Sequence, residues 1–157
     1  MSIPRQISDF LDARNVPYQY CRHSLAYTAQ GIAHAQHVSG KDVAKVVMVL
    51  CDGAIRMTVL PASHRINFEL LRPVLGGHDL RLATEDEFKD VFPGCELGAM
   101  PPLGNLYSLE VWVDESLKVR PSIVFNAGTH VETIAMSSAD FDRVVNPKYA
   151  KFAEPHH

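Results

Sequence analysis

The stretch from Val43 to Cys51 constrains the fold most. Val43, Ala44, Val46, Val47, Met48, Val49 and Leu50 make it the most apolar run in the chain. Its length and β-branched content predict a strand buried on both faces. Asp52-Gly53 follows, then Ile55–Leu60 with Pro61 behind it. An Asp-Gly pair between two apolar runs is a strong two-residue turn signal, so the two strands are expected to pair antiparallel.

The flanking segments read as a mixture of helices and strands. Ile3, Ile7, Phe10 and Leu11 recur at i, i+4, i+7 and i+8, which predicts an amphipathic helix over 3–14, stopped by Asn15-Val16-Pro17. Tyr18 to Arg22 alternates like a strand. Thr28 can N-cap a helix to about His37, ended by Ser39-Gly40. Asn67 starts a helix carrying Phe68, Leu70, Leu71 and Leu75, and Gly76-Gly77 ends it. Leu80 to Ala83 is a short strand, and Thr84 with Glu87 fits a capping box. Glycines and prolines between Phe92 and Leu106 predict a loop. Val111-Trp112-Val113, Ile123-Val124-Phe125 and Val131 to Met136 read as strands, and Ser137 or Ser138 caps a last helix. One clear hairpin and no regular βαβ repeat point to an α/β (mixed α+β) domain with a central mixed sheet flanked by helices, not a doubly wound parallel one.

At 157 residues the chain is read as one domain, 1–157, with its core at about 3–145. Fifteen basic against eighteen acidic side chains give a net charge of −3, which excludes a broad basic face coating nucleic acid. That balance leaves room for a grip on one nucleic-acid end, and no DNA partner is expected. Cys21, Cys51 and Cys95 are odd in number and form no CxxC, as expected of free thiols in a reducing, cytoplasmic compartment. No signal peptide is expected, and no run approaches the roughly 18–20 apolar residues of a membrane span, so no membrane partner is expected. The terminal His156-His157 fits a native end or a tag remnant and is set aside.

Four places could carry chemistry. Lys45 opens the most apolar strand and shares a face with Val43, Val47 and Val49 by the period of two. One reading packs the stem and lets the ammonium snorkel to water. The other holds the cation in a cleft to grip a phosphate or polarise a carbonyl. The loop Gly94 to Gly104, stiffened by Pro101 and Pro102, could offer backbone groups to a small ligand or could be plain surface. It lacks both the Lys-Ser/Thr ending of a P-loop and GxGxxG spacing. Asn126-Ala127-Gly128-Thr129-His130 places a histidine between two strands, facing a pocket or serving as a hydrogen-bonded structural residue. His23 to Thr28 joins a strand to the capped helix. His34 and His37 sit at i, i+3 without a third ligand at metal spacing, so they read as surface histidines and no metal or organic cofactor is expected. A small metal-dependent hydrolase using His23, His34 and His37 is the third-ranked reading.

Taken in order, the His23–Thr28 segment, Lys45 at the head of its strand, the Gly98-to-Gly104 loop with Pro101, and Phe125 to His130 resemble the YbaK/ProX family, free-standing relatives of the editing domain inserted in bacterial prolyl-tRNA synthetase. The likeness runs from about Ile3 to Val145. It implies trans-editing: hydrolysis of the ester joining a wrong amino acid to the 3′ end of a tRNA, on tRNA(Pro) carrying alanine or a similar small residue. Synthetase pockets reject a one-methylene difference by only about 10–200-fold, so a second sieve is needed. The resemblance implies Lys45 as the catalytic cation. Gly98, Pro101, Gly104 and Gly128 would shape the substrate pocket, with His23 and Thr28 lining it and His130 as a selectivity element. The partners it implies are the acceptor 3′ end of aminoacyl-tRNA and prolyl-tRNA synthetase. A binding module of the same fold, holding a nucleotide or aminoacyl-adenylate-like ligand without turnover, is the alternative. The chain departs from the alanine-specific members, which resemble Lys-Asn-Leu where Lys45-Val46-Val47 stands, and it has Gln30 where an acidic residue is common. The change at Val46 implies a substrate at least as large as alanine, although alternation points Val46 away from Lys45.

Overall fold

The computed structural model describes residues 4–23, 31–33 and 38–156. In chain order, α1 (Arg5–Ala13) and β1 (Gln19–Arg22) precede the long pair β2 (Ala44–Cys51) and β3 (Ala54–Pro61). Next come β4 (His64–Ile66), α2 (Phe68–Leu75), β5 (Leu80–Leu82) and α3 (Glu85–Phe88). After a loop and the 3-10 turn Gly104–Tyr107 follow β6 (Val111–Asp114), α4 (Glu115–Lys118), β7 (Ser122–Asn126) and β8 (Glu132–Ser137). The chain then forms α5 (Ser138–Val145), β9 (Lys148–Ala150) and β10 (Ala153–Pro155). Residues 31–33 are helical. The N-cap expected at Thr28, and His34 and His37, lie outside the described residues.

The hairpin forms as read. β2 and β3 pair antiparallel from Ala44↔Pro61 to Cys51↔Ala54, and Asp52 (φ 49°) and Gly53 (φ 84°) turn the chain with positive φ at both positions. That twist matches the strands it joins. The hairpin lies inside a five-stranded sheet of order β5-β2-β3-β6-β9, in which β3–β6 and β6–β9 are parallel and the other pairs antiparallel. A three-stranded antiparallel sheet, β1-β8-β7, meets it through a parallel bridge between Val43 and Val124. The sheet is therefore mixed, as the pattern of elements predicts.

Local signals in the sequence set several ends. The Asn67 side chain accepts the backbone N–H groups of Glu69 (3.0 Å) and Leu70 (3.1 Å), and Gly76 closes α2 in the left-handed region. A cap of this kind contributes about 1 kcal/mol. The Thr84–Glu87 capping box is present at α3, and Ser137 caps α5 by accepting from the Asp140 N–H.

Alternation along β2 sorts its side chains between two faces. Ala44 and Met48 join the main core with Ile7, Phe10 and Leu11 of α1, Met57 and Val59 of β3, and Phe125 and Ile134 of the smaller sheet. Val43, on the opposite face, packs with Ile32, Ala33, Ala62 and Val124. Farther along that face, Val49 packs with Leu60, Leu71 and Phe152.

Burial on both faces holds at Met48 and Val49, whereas Lys45, Val46 and Val47 are only half-buried. The cause lies in the neighbours. On the edge away from β3, the smaller sheet pairs with this stretch only at Val43, just before β2, and β5 joins only from Val49 to Cys51. Between those two points no strand among the described residues covers that edge.

Two strands lie beyond the 3–145 core read from the sequence. β9 runs parallel to β6, β10 pairs with β4, and Phe152 between them is fully buried. Asp114 holds this segment in place. One carboxylate oxygen accepts the N–H groups of Phe152 and Ala153, each at 2.9 Å, and the other accepts from the Ser116 N–H and caps α4.

Candidate functional site

Lys45 stands where β2 loses its strand neighbour. It is flanked on its own face by Val43 and Val47 and lies opposite Leu60 on β3. Its ammonium has no carboxylate within ion-pair distance among the described residues, and burial holds its pKa below the usual lysine range. A half-buried cation without a counter-charge is costly, and it favours an anion or a polarised carbonyl brought from outside. Val46 points the other way and packs against the main core.

Residues of the smaller sheet share Lys45's face. Because Val43 and Val124 pair in parallel, Lys45 and Asn126 each lie two positions beyond the bridge on one side. Asn126 pairs with Thr133, which in turn faces Cys21 on β1, and His23 follows two residues later. The His23 backbone N–H donates to the Val131 carbonyl at 2.8 Å, which fixes the residue at the end of this face. The Asn126 Oδ1 is buried and accepts no hydrogen bond among the described residues.

Immediately after Asn126, the chain is knitted to the glycine loop. The Glu96 N–H donates to the Gly128 carbonyl (2.8 Å), and the Gly128 N–H donates to the Ala99 carbonyl (2.9 Å). The His130 backbone N–H donates to Glu96 Oε1 (2.8 Å), and its ring Nε2 lies 2.9 Å from the Leu97 carbonyl. A carbonyl can only accept, so Nε2 carries the proton, and in the neutral ring Nδ1 is the acceptor nitrogen. Gly98 has φ +86°, and a Cβ there would sit 3.3 Å from His130 Cε1. Gly128 has φ +94°, and a Cβ there would meet Pro4 Cδ at 2.6 Å. Both positions require glycine.

The structure thus gathers Gly98, Gly128 and His130 into one unit and places His23 and Lys45 on the adjoining face. Thr28 lies outside the described residues. Pro101 is buried in the loop. Gly104 belongs elsewhere: a Cβ on it would lie 2.6 Å from Val111 Cγ2 and 3.1 Å from Met57 Sδ, so close packing against β6 and β3 in the main core accounts for it. Asn126 is the residue that sequence reasoning passed over. Its signal was a polar side chain at an inward position of the Val124–Asn126 alternation. Cys95 lies 3.5 Å from the Tyr107 hydroxyl, and burial pushes its thiol up, away from a reactive thiolate. Among the described residues, no three His, Cys, Asp or Glu side chains gather as metal ligands, and no helix is long and apolar enough to cross a membrane.

These features define a class: a mixed-sheet domain with a half-buried lysine that has no carboxylate partner among the described residues, beside a loop shaped by glycines. The family model for the aminoacyl-tRNA editing domain matches residues 23–144, and the chain belongs to that family. It is 30% identical over 97 residues to the multifunctional Ser/Thr-tRNA deacylase ProXp-y of Escherichia coli, covering 61% of this chain and 58% of that one. It is also 30% identical over 93 residues to the proline–tRNA ligase of Halalkalibacterium halodurans, covering 59% of this chain and 16% of the ligase. The chain therefore spans only part of the length of either relative. A crystal structure of a candidate trans-editing enzyme for prolyl-tRNA synthetase superposes with a TM-score of 0.81 at 20% identity, covering 96% of both chains. That of the hypothetical protein APE2540 gives 0.85 at 20% identity, covering 96% of this chain and all of that one. At such identities the superpositions establish the fold.

Proposed function

We propose that this protein is a cytoplasmic aminoacyl-tRNA deacylase that removes a small, wrongly attached amino acid from the 3′ end of a tRNA. The observation that carries the reading is Lys45: a half-buried ammonium without a carboxylate partner, at the opening in the sheet, in a chain of the editing-domain family. In the reaction a water adds to the ester carbonyl and the acyl C–O bond breaks. The ribose oxygen leaves with one of the water's protons, the other passes to solvent, and the amino acid departs as its carboxylate. Negative charge builds on the carbonyl oxygen along the way, and a fixed cation in a partly dry site stabilises it. The Gly98–Gly128–His130 unit shapes the amino-acid side of the pocket. Prolyl-tRNA synthetase is the proposed partner, in keeping with the likeness to a ligase of that type.

The amino acid proposed is serine, threonine or another residue at least as large as alanine. The likeness to a Ser/Thr-tRNA deacylase favours it, whereas Val46 packs against the main core and does not bear on the choice. The test is a panel of tRNA(Pro) and cognate tRNAs charged with Ala, Ser, Thr, Cys or 2-aminobutyrate, scored by release of the amino acid. Turnover of at least one, with Ser or Thr ahead of Ala, is the expected result. Binding of all without release of any would leave a non-catalytic binding module instead.

A further inference from the structure

The chain has fifteen Lys and Arg residues, all of them among the described residues, and nine are held in ion pairs. Of the remaining six, Arg14 lies over the Phe10 ring and Arg72 sits on α2. The other four, Lys41, Lys45, Lys151 and Lys118, whose Nζ also lies 4.6 Å from the centre of the Tyr149 ring, border the ribbon formed by β4 and β10. The Ser63 N–H donates to the Gly40 carbonyl (3.3 Å), and the His156 N–H donates to the Ser63 carbonyl (3.1 Å). Those bonds bring the backbone at Lys41 and at His156 up to His64, which pairs with Pro155. His64 is within electrostatic reach of Asp114 as well as of His156, Lys41 and Lys45. On the other side of His64 opens a cleft of about 470 Å³ with Lys118 and Lys151 on its walls, both exposed.

Two carboxylates also border the cleft. Asp114 is 2% exposed, and its oxygens are engaged by the backbone at Phe152 and Ala153 and by Ser116, so they are held away from a ligand although the charge still reaches His64. Glu115 is exposed at the rim. Lys118 and Lys151 on the cleft and Lys41 and Lys45 beyond His64 thus lie along one track, interrupted by the Asp114 and Glu115 carboxylates, in a protein whose net charge is −3.

We infer that the cleft beside His64 carries the phosphodiester backbone of the single-stranded acceptor end, with Lys118 and Lys151 holding phosphates upstream of the nucleotide that reaches Lys45. This rests on the deacylase reading for the identity of the RNA. The chemistry is that of exposed lysines meeting successive phosphates of a single strand, where each phosphate contact releases counterions and steepens the salt dependence.

The test is fluorescence anisotropy with uncharged tRNA and with a single-stranded RNA ending in ACCA, across a salt series. A contact to single-stranded RNA contributes a slope of about −0.7 in log K against log salt, or about fivefold in affinity at 0.1 M relative to 1 M. The double variant Lys118→Gln/Lys151→Gln is expected to bind roughly 25-fold more weakly at 0.1 M salt, with a slope shallower by about 1.4. Lys151→Gln alone is expected to show about half of that change in slope. Arg14→Gln/Arg72→Gln, which removes the two unpaired cations off the track, is expected to bind like the parent. Parent-like affinity and slope in the lysine variants would overturn the inference, as would equal weakening by the arginine pair, which would mean diffuse attraction. Because the RNA here is uncharged, the outcome is separable from the deacylase reading. RNA binding as described without turnover in the panel would sink that reading alone, and turnover with parent-like lysine variants would sink this one alone.

Discussion

Lys45 and Asn126 occupy equivalent places on two parallel strands, each two residues beyond the Val43–Val124 bridge and on the same face of the sheet. Past the bridge the smaller sheet no longer pairs with β2, so the two residues flank an opening, one with an uncompensated cation and the other with an unpartnered carbonyl oxygen. Crevices where neighbouring strands part company are common places for ligands in open sheets.

Asn126 is expected to matter for substrate and little for folding. Its Oδ1 makes no hydrogen bond to lose. Asn126→Ala should therefore keep a melting temperature near the parent's. If the oxygen accepts a bond from the substrate, losing it costs about 0.5–1.5 kcal/mol, a several-fold rise in KM for deacylation. An unchanged KM would remove Asn126 from the site.

Gly98→Ala tests the loop. The backbone there has φ +86°, and the added Cβ meets the His130 ring at 3.3 Å. The left-handed conformation alone costs about 1–2 kcal/mol with a Cβ. The variant is expected to melt lower and to lose activity, because His130 must move from its bond to Leu97. Full activity at the parent's stability would show that the loop tolerates displacement and does not shape the pocket.

Much of this arrangement is written locally. Asp52-Gly53 selects the hairpin, Asn67 and Gly76 bound α2, and Thr84 with Glu87 starts α3, because each depends on residues within a few positions of itself. The segments that escaped sequence reading depend on distant groups. β9 and β10 are three residues each and carry no periodicity of their own. Their place is set by pairing with β6 and β4 and by the Asp114 carboxylate. Gly104 reads as a loop glycine like Gly98, yet its reason lies in Val111 and Met57, which only packing brings near. The two readings of Lys45 could not be separated from sequence either, since strand alternation gives its face but not the gap in the neighbouring strands.

Asp114→Ala is expected to loosen the C-terminal segment. The substitution strips the partners from the buried N–H groups of Phe152 and Ala153 and removes the α4 cap. Hydrogen bonds to a charged group contribute about 1.5–3 kcal/mol, so a loss of about 3 kcal/mol is expected, lowering Tm by roughly 6–12 °C for a chain of this size. Hydrogen exchange at Phe152 and Ala153 should rise with it. Unchanged Tm and exchange would contradict the role given to Asp114.

Glu87 supplies a check on the capping box through pH. The Arg81 guanidinium, bonded to it at 2.8 Å through both nitrogens, and the Thr84 N–H pull its carboxyl from an ordinary 4.5 down to about 2. A carboxylate depressed in the folded state contributes stability above its unfolded pKa, and that contribution fades as pH falls from about 4.5 through 2. NMR titration of the Glu87 carboxyl should give a value near 2 in the parent, rising toward the ordinary one in Arg81→Gln. An ordinary value in the parent would mean that the pair does not form in solution.

The central claim is that Lys45 is a functional cation and not a snorkelling stem. Burial lowers its pKa from an ordinary 10.5, so the charged form is disfavoured by folding at every pH below the folded value. Lys45→Met keeps the stem and removes that cost, and its melting temperature is expected to equal or exceed the parent's. Deacylation of the best substrate in the panel is the direct measurement. Loss of a charge-stabilising donor typically costs about 10²–10³ in rate, and Lys45→Arg is expected to fall similarly, because a planar fork cannot take the place of a compact ammonium. A folded Lys45→Met protein that deacylates at the parent's rate would contradict the account.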